Sequence, residues 1–241
     1  MSLDRPALRR AAVMALTNGF RPPFPTMAGP LVFDSRIDPI QGLDAEDFVP
    51  IVFVQTEHDE GDNLSSTSGG PPFGSTVDLT LELSIGMVGK DTGELRRSIE
   101  TEPELEAMLD LFEAQVKWAL LRDPASEWTR WFHGDTHSAA LRVTSWQSDV
   151  FREREGNQRL SARQIVVRCL VRPDADFRLA DEPGAATIPS PLGPLLAAVI
   201  AAGGDYAPSA QAIADTLLAH ASGAFVNAVL PALERVRMTE A

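Results

Sequence analysis

The strongest signal along the chain is an alternation. Val77, Leu79, Leu81, Leu83, Ile85 and Met87 are apolar, while Asp78, Thr80, Glu82, Ser84 and Gly86 stand between them. A period of two buries one side of an extended strand and leaves the other for water or an interface; no helix gathers that set on one side. Residues 48–55 (FVPIVFVQ) are almost continuously apolar, as in a strand covered on both faces. Pro50 donates no ladder hydrogen bond, so it predicts an edge or strand-start position there. Residues 140–147 (ALRVTSWQ) and 161–171 (SARQIVVRCLV) predict two further strands, and in the second Ile165, Val167, Cys169 and Val171 alternate with Gln164, Val166, Arg168 and Leu170. Residues 149–159 between them are charged and carry the turn signal Gly156-Asn157, so the pair reads as a hairpin with a long, charged arm. Leu31-Val32-Phe33 predicts a short strand of its own.

Helical spacing appears in five places. Over residues 4–17, Asp4 can cap, Pro6 suits the first turn, and Leu8, Ala11, Ala12, Ala15 and Leu16 form a stripe that Asn18-Gly19 stops. Arg9 and Arg10 fall off that stripe and are expected in solvent. Thr101, Pro103 and Glu104 make a capping-box start. From there to residue 121, Leu105, Met108, Leu109, Phe112, Val116, Ala119 and Leu120 mark a face wide enough to cover a sheet. A shorter helix over 125–133 carries Trp128, Trp131 and Phe132. Beyond residue 191, 192–202 predict a small apolar helix stopped by Gly203-Gly204, and 209–236 an alanine-rich helical stretch interrupted by Gly223 and Pro231.

Between these elements lie a proline-rich connector (20–30), a polar loop from Glu57 to about residue 72, a turn at 89–93 and a second proline-rich linker at 179–191. A loop as long as the one from Glu57 is usually functional or mobile. The order of elements predicts an α+β fold: a mainly antiparallel sheet of about four to five strands with helices packed on one face. The expected organisation is an α+β domain over 1–178, a linker over 179–191 and a helical C-terminal extension over 192–241.

Composition narrows the function. The chain has 241 residues, is 44% hydrophobic and carries a formal net charge of −13. That is enough apolar material for a real core, and an overall charge that repels phosphate backbones and leaves nucleic acid only local basic patches. The single cysteine, Cys169, excludes an intrachain disulfide framework and sits where a small buried apolar residue belongs. The first ten residues lack the apolar core of a signal peptide, and the longest apolar run, 194–202, is far short of the ~20 residues that span a bilayer. A cytoplasmic protein is expected.

Chemistry is hard to find. His133 and His137 have the spacing of a metal pair on a helix, but Gly134 breaks that helix and no further Cys or His lies near. Glu57, Asp59, Glu60 and Asp62 are acidic without calcium-loop spacing, which leaves a solvated charge run or a surface facing a partner or channel. Arg152, Arg154, Arg159, Arg163, Arg168 and Arg172 cluster in the hairpin, partly offset by Glu153 and Glu155. They read as an exposed salt-bridged arm, or as an intersubunit contact that meets an acidic patch of the next copy. Phosphate-loop, nucleophile-elbow, zinc-ribbon and RNA-binding signatures are absent from the sequence. Asp34, Ser35 and His58 are residue types of a hydrolytic set, and nothing in the sequence joins them. The expectation is a protein that is not an enzyme and holds no cofactor or metal.

Taken in order, the segments resemble the tail terminator family, the minor tail or tail-completion proteins of long-tailed phages, prophages and gene-transfer particles. The resemblance runs over roughly residues 5–175. It starts with the LRRAAVMAL helix, Leu31-Val32-Phe33-Asp34-Ser35-Arg36, the strand VPIVFVQTEHDE and the alternating strand at 77–87. The acid-capped helix at 101–121 and the hairpin that begins Ser145-Trp146-Gln147-Ser148-Asp149 complete it. The stretch 126–139 is long for that pattern, and 180–241 has no counterpart in it. The resemblance implies a subunit of a hexameric ring that caps the tail tube, ends its polymerisation and meets head-completion (neck) proteins. DNA would pass through the ring without sequence-specific binding, and no cofactor takes part. In such a ring, the charge pattern makes Glu57, Asp59, Glu60, Asp62, Asp78, Glu82, Arg152, Arg154, Arg159 and Arg163 the expected contacts with a neighbouring copy or the lumen. A reading from another class is a small α+β ligand-binding or regulatory module that dimerises through its C-terminal helices.

Overall fold

The structure, a computed structural model, describes residues 3–35, 48–63, 73–88, 95–96, 102–123, 125–134, 138–155, 158–171, 188, 190–204 and 206–221. The chain falls into two compact units, Asp4–Pro173, and Met1–Leu3 with Asp174–Ala241. Thr101, the turns at 89–93 and Gly156-Asn157, most of the 179–191 linker and residues 222–236 lie outside the described residues.

The larger unit is an α+β fold built on one mixed sheet. Its strands are β1 (Val32–Asp34), β2 (Phe48–Asn63), β3 (Phe73–Val88), β4 (Leu95–Arg96), β5 (Arg142–Glu155) and β6 (Gln158–Val171). The order across the sheet is β1-β2-β3-β6-β5, with two-residue β4 added beside β3. Only β1 against β2 is parallel; the other pairs are antiparallel. Three helices complete the unit: α1 (Asp4–Thr17), α2 (Glu102–Leu121) and α3 (Glu127–Phe132).

The alternating strand sits at the centre. Residues directly opposite in an antiparallel ladder share a face. Leu79 pairs with Thr56 and Val167, Leu81 with Val54 and Ile165, and Leu83 with Val52 and Arg163. One face of the sheet is thereby nearly all apolar, and α1 and α2 both pack on β3. Leu109, Phe112, Val116, Ala119 and Leu120 of α2 are buried, as the helical stripe requires. The α1 helix is covered almost all round, with Ala7, Leu8, Ala11, Ala12, Val13, Met14, Ala15 and Leu16 buried, and it packs on α3 as well as on the sheet. Its alanines let these layers approach closely. Asn18 and Gly19 end it in the left-handed region at φ 51° and 65°. A Cβ on Gly19 would stand 2.5 Å from the Trp128 indole nitrogen, so glycine is required there for space as well as for φ.

The expectation for Arg9 and Arg10 is corrected. Arg9 Nε donates to Asp34 at 2.7 Å and Arg9 Nη1 donates to Thr56 at 2.8 Å. Arg10 is buried, with Nη2 3.8 Å from the other Asp34 oxygen. Both arginines tie α1 to β1 and β2 across the layer.

The loop expected after Gln55 is corrected too. β2 continues through the acidic segment to Asn63, paired with the first residues of β3 as far as Asn63 opposite Phe73. A register shift between Thr56 and Asp59 sets Glu57 and His58 opposite Asp78 alone, a β-bulge that breaks the alternation. β1 pairs β2 only at Val52–Val54, so beyond those residues β2 is itself an edge in the described sheet. Pro50 lies at such an edge position, where its missing donor costs no ladder bond.

In the smaller unit, α4 (Leu192–Ala202) packs on α5 (Ala207–Ala221). α4 buries Leu192, Leu195, Leu196 and Val199, and α5 buries Ala210 and Ala214. Gly203 and Gly204 separate them at φ 71° and 83°.

Candidate interaction surfaces

The face of the sheet turned away from α1 and α2 carries a polar group at its β2–β3–β6 centre. Asp78 and Arg168 stand opposite in register, and the guanidinium donates twice, Nε to Oδ1 at 2.9 Å and Nη2 to Oδ2 at 3.0 Å. The hydrogen bond from Arg168 holds the Asp78 carboxyl below its usual range against the opposing effect of burial. Thr80 on the same face donates to Glu57 Oε2 at 3.2 Å, and both Asp78 and Thr80 are buried. Asp78 is thus engaged inside its own subunit, while Glu82 two places beyond Thr80 is half-buried.

The bulge sorts the acids of β2. Asp59 pairs in register with Val77 and turns to the helix side, where Arg5 Nε lies 3.8 Å away and Ser75 donates to it at 2.7 Å. Arg5 Nη2 also donates to the Glu57 carbonyl at 2.9 Å. Glu60 and Asp62 pair with Thr76 and Gly74, the register face of Asp78, and Glu57 reaches that face through Thr80. Glu57, His58, Asp59 and Glu60 are all exposed. His58 Nε2 is 3.7 Å from Glu60.

On the helix side, Arg163 is clamped by α2. Its guanidinium meets Glu106 at 3.2 Å, Asp110 at 2.5 Å and Glu113 at 2.6 Å. Lys117 binds Glu113 from the other side and lies 3.2 Å above the centre of the Trp146 ring. Burial alone would raise the Glu113 carboxyl, but hydrogen bonds from Lys117, Arg163 and Ser148 outweigh it and bring the group below its usual range. Arg163 is a fixture between sheet and helix. Arg152, Arg154 and Arg159 continue its face by register, since Val150 pairs with Arg163, Arg152 with Ser161 and Arg154 with Arg159. Glu153 and Glu155 occupy the opposite register face. β6 pairs β3 only as far as Ala162 opposite Ser84, so the hairpin runs on as a two-stranded arm in the described sheet.

No hydrolytic set assembles from Asp34, Ser35 and His58. Ser35 donates to Asp34, whose carboxylate serves Arg9 and Arg10, and His58 pairs with Glu60. Burial pushes the Cys169 thiol up to about 12. His137 lies outside the described residues, and among those described no group of three or more His, Cys, Asp or Glu is placed to hold a metal ion. Among the same residues no helix is long and apolar enough to cross a membrane.

Sequence reasoning missed the Arg163 clamp and the Arg9–Asp34 bond. The signal for the first was present: Glu106, Asp110, Glu113 and Lys117 recur at helical spacing on the flank of the apolar stripe. Compared with known proteins, the chain matches no family model and no curated protein sequence.

Proposed function

We propose that this chain is a structural subunit of the tail terminator type. Copies of it would form a ring, six in the resembling family, on the finished tail tube of a phage, prophage or gene-transfer particle. That ring would end tube polymerisation and offer a surface to head-completion proteins, with no catalysis and no cofactor. The hairpin arm is the observation that carries the reading. A two-stranded ribbon is at best marginally stable by itself, so one that leaves its sheet at Ala162 and runs on to Glu155 and Gln158 suits a contact outside its own subunit. A ring further needs two different surfaces per copy, and the arm and the acidic half of β2 are two such surfaces. A net charge of −13 suits a channel that DNA crosses without sticking.

Negative-stain imaging of the purified chain with its tail tubes tests this. The expected image is a ring at one end of each tube and tubes of uniform length. Tubes left bare and growing, or a chain that is only a stable dimer indifferent to them, refute it.

A further inference from the structure

The two charged features sit at opposite corners of one sheet. The acidic half of β2 pairs with the start of β3, which pairs with the end of β6 and, through it, the start of β5. The arm that carries Arg152, Arg154 and Arg159 lies at the other end of β5, on the far edge. They also lie on opposite faces. The three arginines hold the register face that α2 covers, whereas Glu57, Glu60 and Asp62 belong to the face of Asp78.

Reach separates the arm from its own helix. Arg163 meets Glu106, Asp110 and Glu113, while Lys117 meets Trp146 lower on β5, so α2 runs toward the arm with its N-terminus leading. α2 begins at Glu102, one turn or about 6 Å beyond Glu106. Arg154 lies four strand residues beyond Val150, or about 13 Å. On that spacing Arg154 and its register partner Arg159 lie beyond Glu102, the first described residue of α2.

From this placement we infer that the arginine face of the arm docks on the acidic back face of β2 in a second copy of the chain. Like faces do not meet in such a contact. The arm's helix-side face lies against the neighbour's opposite sheet face at Glu57 and Glu60, which makes the contact heterologous and able to propagate from copy to copy. Asp59 is turned to the other side and tied to Arg5, so the partners of the arm are Glu57, Glu60 and Asp62. The inference names the subunit contact of the proposed ring and rests on that reading for closure into a ring.

Charge reversal in the full chain tests it. One variant carries Arg152→Glu, Arg154→Glu and Arg159→Glu; the other carries Glu57→Lys, Glu60→Lys and Asp62→Lys. Sedimentation at about 0.05 M and about 0.5 M salt measures assembly, and circular dichroism checks the fold. Should a triple variant fail to fold, the pair Arg154→Glu and Glu60→Lys replaces it. The wild type is expected to self-associate at low salt and dissociate at high salt, because exposed charge pairs are screened. Each variant alone should associate about tenfold or more weakly, and an equimolar mixture should recover the wild-type assembly, since each arm then faces an edge of opposite sign. A wild type still monomeric at about 0.2 mM in low salt overturns the contact, as does growth that stops at two copies, or a mixture no better than its components. Rings imaged on tail tubes despite any of these results leave the proposed function standing. Salt-sensitive, rescued assembly without rings on tubes supports the contact and refutes the function.

Discussion

Replacing Arg163 by methionine removes the cation that holds α2 to the sheet and keeps much of its apolar length. Glu113 would then remain, its side chain only 10% exposed in the native protein, with Lys117 and Ser148 as its donors. Stripping one partner from a fully buried ion pair costs about 3–5 kcal/mol. Here the loss is smaller, because Lys117 still neutralises Glu113 and because Asp110 is 65% exposed and can rehydrate. A cost of about 2 kcal/mol follows, which corresponds to a Tm lower by about 4–8 °C for a chain of this size. The pH dependence carries the sharper signature. Glu113 is depressed below its ordinary value of 4.5, so its contribution is complete above that pH and fades as pH falls through the folded value. Burial would lower Arg163, but hydrogen bonds and charge from Glu113, Asp110 and Glu106 raise it beyond the ordinary arginine range, and it stays charged throughout. The gap between wild type and Arg163→Met should therefore be full near pH 7 and narrow below about pH 4.5. Urea unfolding across that range measures it, with Glu113→Gln and the double variant completing a cycle whose coupling should reach about 1–2 kcal/mol. A Tm change under about 1 °C, or a gap that stays constant with pH, would refute the account of Arg163 as an ionic clamp.

Other consequences are as direct. Gly19→Ala places a methyl group against the Trp128 indole at a residue with φ 65°, and should lower stability by about 2–4 kcal/mol in denaturant melts. Asp78→Asn weakens the bidentate bond to Arg168; since Asp78 is depressed below 3.8, the stability difference from wild type should be present at neutral pH and vanish in acid below about that value. Cys169 is buried with its thiol raised to about 12, so a thiol reagent near pH 8 should label the native chain only as fast as it opens, and the unfolded chain at once. Asp34→Ala strips the shared acceptor of Arg9 and Arg10 and should cost about 2–4 kcal/mol, read by thermal melts, with Asp34→Asn recovering part of it.

What was legible in the sequence follows from what burial writes into it. The strand around 77–87 and the helix at 102–121 announce themselves because one face of each is buried, and burial imposes a period. The second half of β2 has no such period. Its side chains from Glu57 to Glu60 are exposed, its bulge breaks the alternation, and the residues that pair with it, Phe73 to Val77, lie across a separate stretch of chain. An exposed strand made of acids therefore reads as a loop. Arg9 and Asp34 failed for a different reason. Each looks like an ordinary surface charge, and only the parallel pairing of β1 on β2 brings the carboxylate under the helix. The buried state of Asp78 was equally hidden, since it depends on Arg168 ninety residues later.

These hidden contacts bear on the acidic edge itself. Arg5 binds the Glu57 carbonyl and Asp59, and Arg9, one helical turn later, binds Thr56 and Asp34. α1 thus grips β2 on both sides of the bulge. A segment that the sequence presents as a mobile acidic loop is a strand braced from the helix layer, and a braced strand presents its charges without the ordering cost that a loop meets on binding. The bracing is also one-sided. Arg5 and Arg9 supply positive charge on the helix face, where Asp59 is answered, and leave Glu57 and Glu60 on the back face, where among the described residues the solvent-exposed His58 stands by Glu60 and Arg168 binds Asp78. The polarity of the edge therefore arises from how α1 is seated, and the LRR and VFDS segments that mark the resemblance are the ones that seat it. Those residues build the scaffold, and the contact surface they orient has no period or motif of its own from which to be read.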